Sequence, residues 1–239
     1  MRILLTVVLV SVLGACMAQT PIYNPPAPGF REGQSDPRAI RIADEVMEAM
    51  GGRRAWDSVA CIQWTFFGFR TLTWDKAHNR CRIEIPRDSM VMEVNLGDLT
   101  GTVTQRGKAM TEADSLQKYL TRARSIWIND SYWLVMPFKL KDSGVALKYV
   151  GEGATAEGTP ADILEMTFEG VGDTPDNKYH IWVDKTSRLV IQWAYFAKYT
   201  DTEPRIQNPW TDYRPYGGVL LSGGRGNRGM ENISLCEGR

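Results

Sequence analysis

The chain has 239 residues, 43% of them hydrophobic and 10% aromatic, and its 28 basic residues balance 28 acidic ones. That is a globular composition, and at this length one large β-rich domain is as ordinary as two small ones. Zero net charge removes the electrostatic case for nucleic acid, and two histidines, His78 and His180, leave little material for a histidine metal site.

Arg2 precedes a largely apolar run, Ile3 to Leu13, too short to span a bilayer and shaped like a signal-peptide core. Leu13-Gly14-Ala15-Cys16 follows directly and resembles a lipobox, where bacteria diacylate a cysteine and cleave before it. Cleavage after Ala18 is the rival. Residues 1–18 therefore read as a signal peptide with a lipobox, and the mature chain as an exported periplasmic lipoprotein, membrane-bound through acylated Cys16. Residues 19–34, rich in Pro, Gly and Asn, read as a tether, and residues 35–239 as the domain.

Ser35-Asp36-Pro37 opens a helix with Pro at its favoured first position. Ile40, Ala43, Val46, Met47 and Met50 form its apolar stripe, and Gly51-Gly52 ends it, with Trp56 packed beneath. From Ala60 to Asp75 the period becomes two: Ile62, Trp64, Phe66, Leu72 and Trp74 share one face, and Gly68 marks a bulge or bend. Cys81, Ile83 and Ile85 alternate next, then Met90, Met92, Val94 and Leu96, then the run Leu99 to Gln105. Short connections make this a four-strand antiparallel meander.

Thr111 to Asp142 is the long helical signal. Ala113, Leu116, Leu120, Ala123 and Trp127 make an apolar stripe, Thr111 with Asp114 is the expected N-cap, and Pro137 stops the helix soon after Trp133. The segment Trp133 to Met136 has no stripe, and we expect it to cover the concave face as a movable lid. Strands resume with Val145, Leu147 and Tyr149, a loop from Gly151 to Ala161, then Leu164, Met166 and Phe168. Tyr179, Ile181 and Val183 lead through a turn at Asp184 to Leu189, Ile191, Trp193 and Tyr195. Trp210 to Ser222 and Asn232 to Cys236 complete about ten strands and two helices. The expected fold is mainly β with helices (α+β): a curved, unclosed antiparallel barrel around a central helical plug.

Beyond Cys16, three cysteines remain. Cys81 faces with Ile83 and Ile85, Cys61 with Gln63 and Thr65, and Cys236 with Asn232 and Ser234. Facing favours Cys61–Cys236 over any pair with Cys81, while three unpaired thiols are the default. Gly224 to Gly229 matches G-x-G-x-x-G, but no βαβ unit surrounds it, so it reads as a turn with solvated arginines. His180 and Asp184 read as the outer face of an edge-like hairpin, since no nucleophile elbow accompanies them.

The aromatic content carries more. Trp64, Phe66, Trp74, Trp127, Trp133, Phe168 and Trp193 are expected on the enclosed side, with Met90, Met92, Met136 and Met166 beside them. An ordinary core explains them too. A curved single-layer sheet around one helix, however, leaves volume for a ligand, and methionines make an adaptable lining. These eleven residues are the candidate ligand-binding set. No catalytic residue, metal or cofactor is assigned.

The element order resembles the LolA/LppX-like half-barrels of the bacterial envelope, and looks closest to a Bacteroidota-type branch of them. The likeness is carried by Val46-Met47-Glu48-Ala49-Met50-Gly51-Gly52 with Trp56, by Trp127 to Pro137, by Trp182-Val183-Asp184 with Leu189 and Trp193, and by Trp210-Thr211-Asp212-Tyr213 with Gly217-Gly218-Val219. It implies a concave face that binds acyl chains, lipids or lipoproteins without chemistry of its own. The alternative is a membrane-anchored accessory subunit of an envelope complex, its cavity filled by core. Neither reading names a protein partner.

Overall fold

The computed structural model describes residues 21–236; the expected signal peptide, the lipobox and Cys16 lie outside the described residues. Helix α1 spans Pro37–Ala49 and buries Ala39, Ile42, Ala43, Val46 and Met47, so its stripe runs through Ile42, with Ile40 only half-buried. Gly51 and Gly52 end it with φ of +109° and +88°. A side chain at Gly51 would put its Cβ 2.1 Å from the carbonyl oxygen of Gly218, so this crossing accepts glycine alone. The short helix α2, Arg53–Ser58, stacks its Trp56 on Phe138 with ring centroids 4.3 Å apart.

Strands β1 (Cys61–Phe66), β2 (Arg70–Asp75), β3 (Arg80–Ile85), β4 (Met90–Asn95), β5 (Gly101–Gln105) and β6 (Lys108–Ala109) form consecutive antiparallel hairpins. The run from Ala60 to Asp75 is thus two strands. Phe67 and Gly68, with φ of +50° and +72°, make the turn between them. Because Ile62 pairs with Trp74, Trp64 with Leu72 and Phe66 with Arg70, the even positions stay on one face through the turn.

Helix α3 spans Ala113–Val135 and continues as a 3-10 turn over Met136–Lys139, where Pro137 ends it as expected. Its N-cap is Glu112, whose carboxylate accepts from the amides of Asp114 and Ser115; Thr111 is not the cap. Strands β7 (Val145–Ala154), β8 (Pro160–Phe168), β9 (Lys178–Asp184), β10 (Val190–Phe196) and β11 (Ile206–Pro209) build a second antiparallel sheet. Its order is β11-β10-β9-β8-β7. The expected loop from Gly151 to Ala161 is mostly ladder: a register shift between Tyr149 and Gly151 lets the small residues pair with β8 as far as Ala154 opposite Pro160. Strands β12 (Thr211–Tyr216) and β13 (Val219–Gly224) are a separate hairpin, and β14 (Met230–Leu235) returns to pair with β1.

The sheets form a curved, unclosed antiparallel barrel around α3, with fourteen strands where about ten were expected. The difference is two hairpins each read as one run, plus the short β6 and β11. One continuous core joins α1, α3 and both sheets.

The stretch expected as a tether lies along the domain from residue 21 onward. An open barrel leaves β7 as an edge with unpaired backbone groups. Here the Arg31 amide donates to the Val145 carbonyl, the Asp36 amide to the Leu147 carbonyl, and the Leu147 and Tyr149 amides donate to Ser35 Oγ and Asp36 Oδ2. Arg31 from this stretch, with Ser35 and Asp36 just beyond it, covers the edge.

Cys61 and Cys236 form a disulfide across the β1–β14 pair, correcting the default of three free thiols. Cys81 is the free cysteine among the described residues, and burial pushes its thiol far up.

Candidate functional site

A cavity of about 630 Å³ lies between the second half of α3 and the concave face of β8 to β11. Helical spacing brings Trp127, Ile128, Ser131, Tyr132 and Trp133 to it from α3. From the sheet come Phe168, Tyr179, Trp193 and Tyr195, with Ile206 and Trp210 from β11 and the residue behind it. Period-two alternation places these side chains: Tyr179 stands opposite Tyr195, and Trp193 opposite Ile181. On β10 a register shift between Val190 and Gln192 swings Ile191 to the outer face, so Val190 replaces it inside.

The rings brace one another. Trp133 meets Trp193 edge-on at 4.8 Å, Tyr179 lies 5.1 Å from both Trp193 and Phe168, and Tyr132 lies 5.7 Å from Tyr179. The polar lining comes from the ion pair Lys139–Asp142, from Ser143, and from Asp173, Thr174 and Asn177 in the loop before β9. Asn177 is buried, donating to Thr174 Oγ1 at 2.5 Å and accepting from the Tyr195 hydroxyl at 3.5 Å.

Of the expected binding set, Trp127, Trp133, Phe168 and Trp193 line this cavity. The other seven do not. Trp64, Met92, Met136 and Met166 are fully buried, and Met90, Phe66 and Trp74 nearly so. Several stand one layer behind the wall: Trp74 packs edge-on to Trp127 at 5.3 Å, and Met166 accepts a hydrogen bond from the Tyr132 hydroxyl at 3.7 Å. The sequence reading missed Tyr132, Tyr179, Tyr195 and Trp210 as lining. The inward alternation of Tyr179 and Tyr195 is legible in the sequence and is the signal that marks them.

The segment expected as a lid is packed down in this structure. Leu134, Val135 and Met136 have no exposed surface, and the Trp133 carbonyl is held by Arg225 Nη2 at 2.5 Å. Arg225 belongs to the Gly224–Gly229 segment, which is not a turn with solvated arginines on both sides. It is 2% exposed and lies over the Trp210 ring with its guanidinium carbon 3.3 Å from the centroid. It also donates to the Gly224 carbonyl and to Ser222 Oγ. No carboxylate among the described residues pairs with it. The carbonyls of Trp133 near the end of α3 and of Ser222 and Gly224 supply the negative potential instead. Burial pulls its guanidinium down to about 9, which leaves it charged at neutral pH. Arg225→Met strands no opposite charge, so urea unfolding should show a loss of only about 1–3 kcal/mol, the penalty of orphaned carbonyls.

Deeper on α3, Asp130 has no exposed surface. Arg70 on β2 binds it through two hydrogen bonds of 2.5 and 2.6 Å, and Asn129 Nδ2 donates a third at 2.9 Å. Burial raises its carboxyl above the ordinary range despite Arg70 and Asn129 pulling the other way.

His180 points away from the cavity, on the opposite face of β9 from Tyr179, with Nε2 3.4 Å from Glu165. Strand β9 is interior to its sheet, so the edge-like placement is corrected. Asp184 caps its own turn, accepting from the Thr186 and Ser187 amides, which hold its carboxyl low. Among the described residues no group of three or more His, Cys, Asp or Glu is placed to hold a metal ion.

No family model matches the chain, and no curated protein matches it. Among solved structures, a DUF1329 family protein from Desulfovibrio piger is similar, with 14% identity, 86% of this chain and 95% of that chain covered, and a TM-score of 0.43.

Proposed function

We propose that the protein binds a lipid or other amphiphile in the cavity between α3 and the second sheet, without catalytic turnover, as an exported envelope protein of the LolA-like half-barrel kind. The cavity carries this reading. It has the volume of small-molecule sites and an aromatic wall, with polar groups gathered at Asn177, Asp173 and the Lys139–Asp142 pair. An apolar body would lie against the rings and a polar end among these groups. The Cys61–Cys236 disulfide supports export, since such bonds persist in oxidising compartments. Acylated Cys16 would hold the domain at a membrane, with the ligand or its carrier as partner.

The accessory-subunit reading draws support from the closed packing under β1 to β5, where the expected lining residues are sealed. It leaves the aromatic cavity without a use.

Native mass spectrometry of protein purified from its own envelope should show a stoichiometric bound amphiphile. Trp193→Ala should weaken saturable binding of an apolar fluorescent probe about tenfold or more, a loss of one well-placed contact. Absence of both the adduct and saturable probe binding would remove the reading.

A further inference from the structure

Resting on the amphiphile-binding reading, we infer that the cavity selects a rigid, ring-bearing amphiphile over a flexible acyl chain. The wall is a lattice of Tyr132, Trp133, Phe168, Tyr179, Trp193 and Tyr195, with successive ring centroids 4.8 to 6.2 Å apart. Each ring fixes the next, so the wall is preformed. Aromatic side chains have only two torsions, so ordering them costs little.

The adaptable residues are elsewhere. Met166, which meets the Tyr132 hydroxyl, and Met136, which follows the end of α3, are fully buried and absent from the lining. Acyl chains sample many shapes and favour walls that re-form around them, which is what methionine provides. A rigid ring system loses little conformational freedom on binding, and it finds stacking and edge-on faces already in place. The polar end of such a ligand meets Asn177, which is held between Thr174 and Tyr195.

The test is calorimetric titration of the disulfide-intact protein with four probes below their micellar concentrations: a pyrene and a dodecyl chain, each bearing either an amine or a carboxylate. Pairing the heads keeps charge from deciding the outcome. The ring probe should bind about tenfold or more tightly than the chain with either head. A chain that binds as tightly as the ring overturns the inference and leaves amphiphile binding standing. If none of the four binds, this inference falls, and if native mass spectrometry also shows no adduct the amphiphile reading falls with it. The double variant Phe168→Leu/Tyr179→Leu keeps an apolar wall but removes two rings. In a variant shown to be folded by circular dichroism, the preference should shrink to within about threefold. An unchanged preference there overturns the inference as well.

Discussion

Replacing Arg70 by methionine is expected to remove about 3–5 kcal/mol of folding stability, because it leaves a buried carboxylate without its partner. Asp130 has no exposed surface, and Arg70 supplies two of the three hydrogen bonds that hold it. The pair ties α3 to β2, so its loss loosens the plug against the first sheet. Asp130→Asn should be milder, since it removes the charge along with the need to neutralise it.

The loss should also depend on pH, and the sign follows from the raised carboxyl of Asp130. An acid whose folded value lies above its unfolded value binds more protons when folded, so stability falls as pH rises between the two. Without Arg70 that value rises further. The deficit of Arg70→Met is therefore greatest at neutral and alkaline pH and shrinks on acidification toward the range where Asp130 takes up its proton. Urea unfolding of both proteins across that range measures this. A deficit that stays constant or grows on acidification contradicts an unpaired carboxylate as the cause.

The second large effect is the disulfide. Cys61 and Cys236 are separated by 175 residues, and the loop-entropy relation assigns such a closure about 5 kcal/mol, against about 2–4 for typical bridges. The Cys61→Ser/Cys236→Ser variant should lose about 3–5 kcal/mol on that basis. Strand β14 keeps its ladder with β1, so the native sheet should survive the loss. The chemical-denaturation midpoint of the variant, beside wild type with and without reductant, decides the matter. A loss below about 1 kcal/mol would mean that the unfolded chain is already constrained near this pair.

Much of the fold is written in local periodicity. Alternation of Cys81, Ile83 and Ile85 and of Met90, Met92 and Val94 marks strands that bury those residues. Pro37 and Gly51-Gly52 bound α1, and Pro137 bounds α3, because these residues act through their own backbone geometry. The turn at Phe67-Gly68 was hidden for a specific reason. A hairpin whose partners sum to an even number keeps the same parity on both strands, so the alternation runs through it unbroken.

What the sequence determined by itself is therefore the element types, the α+β class with a helix inside an open antiparallel sheet, and the inward faces of most strands. These depend on neighbours a few residues apart. Tertiary structure alone decided which inward residues are core and which line a cavity. Trp64 and Trp193 have the same alternation, yet Trp64 is sealed in the core while Trp193 lines the cavity. What packs against each of them separates the two. The same holds for Arg225, whose place over Trp210 and under the Trp133 carbonyl joins segments 92 residues apart. No local pattern encodes that meeting, because its energy comes from packing between elements that the chain order leaves far apart.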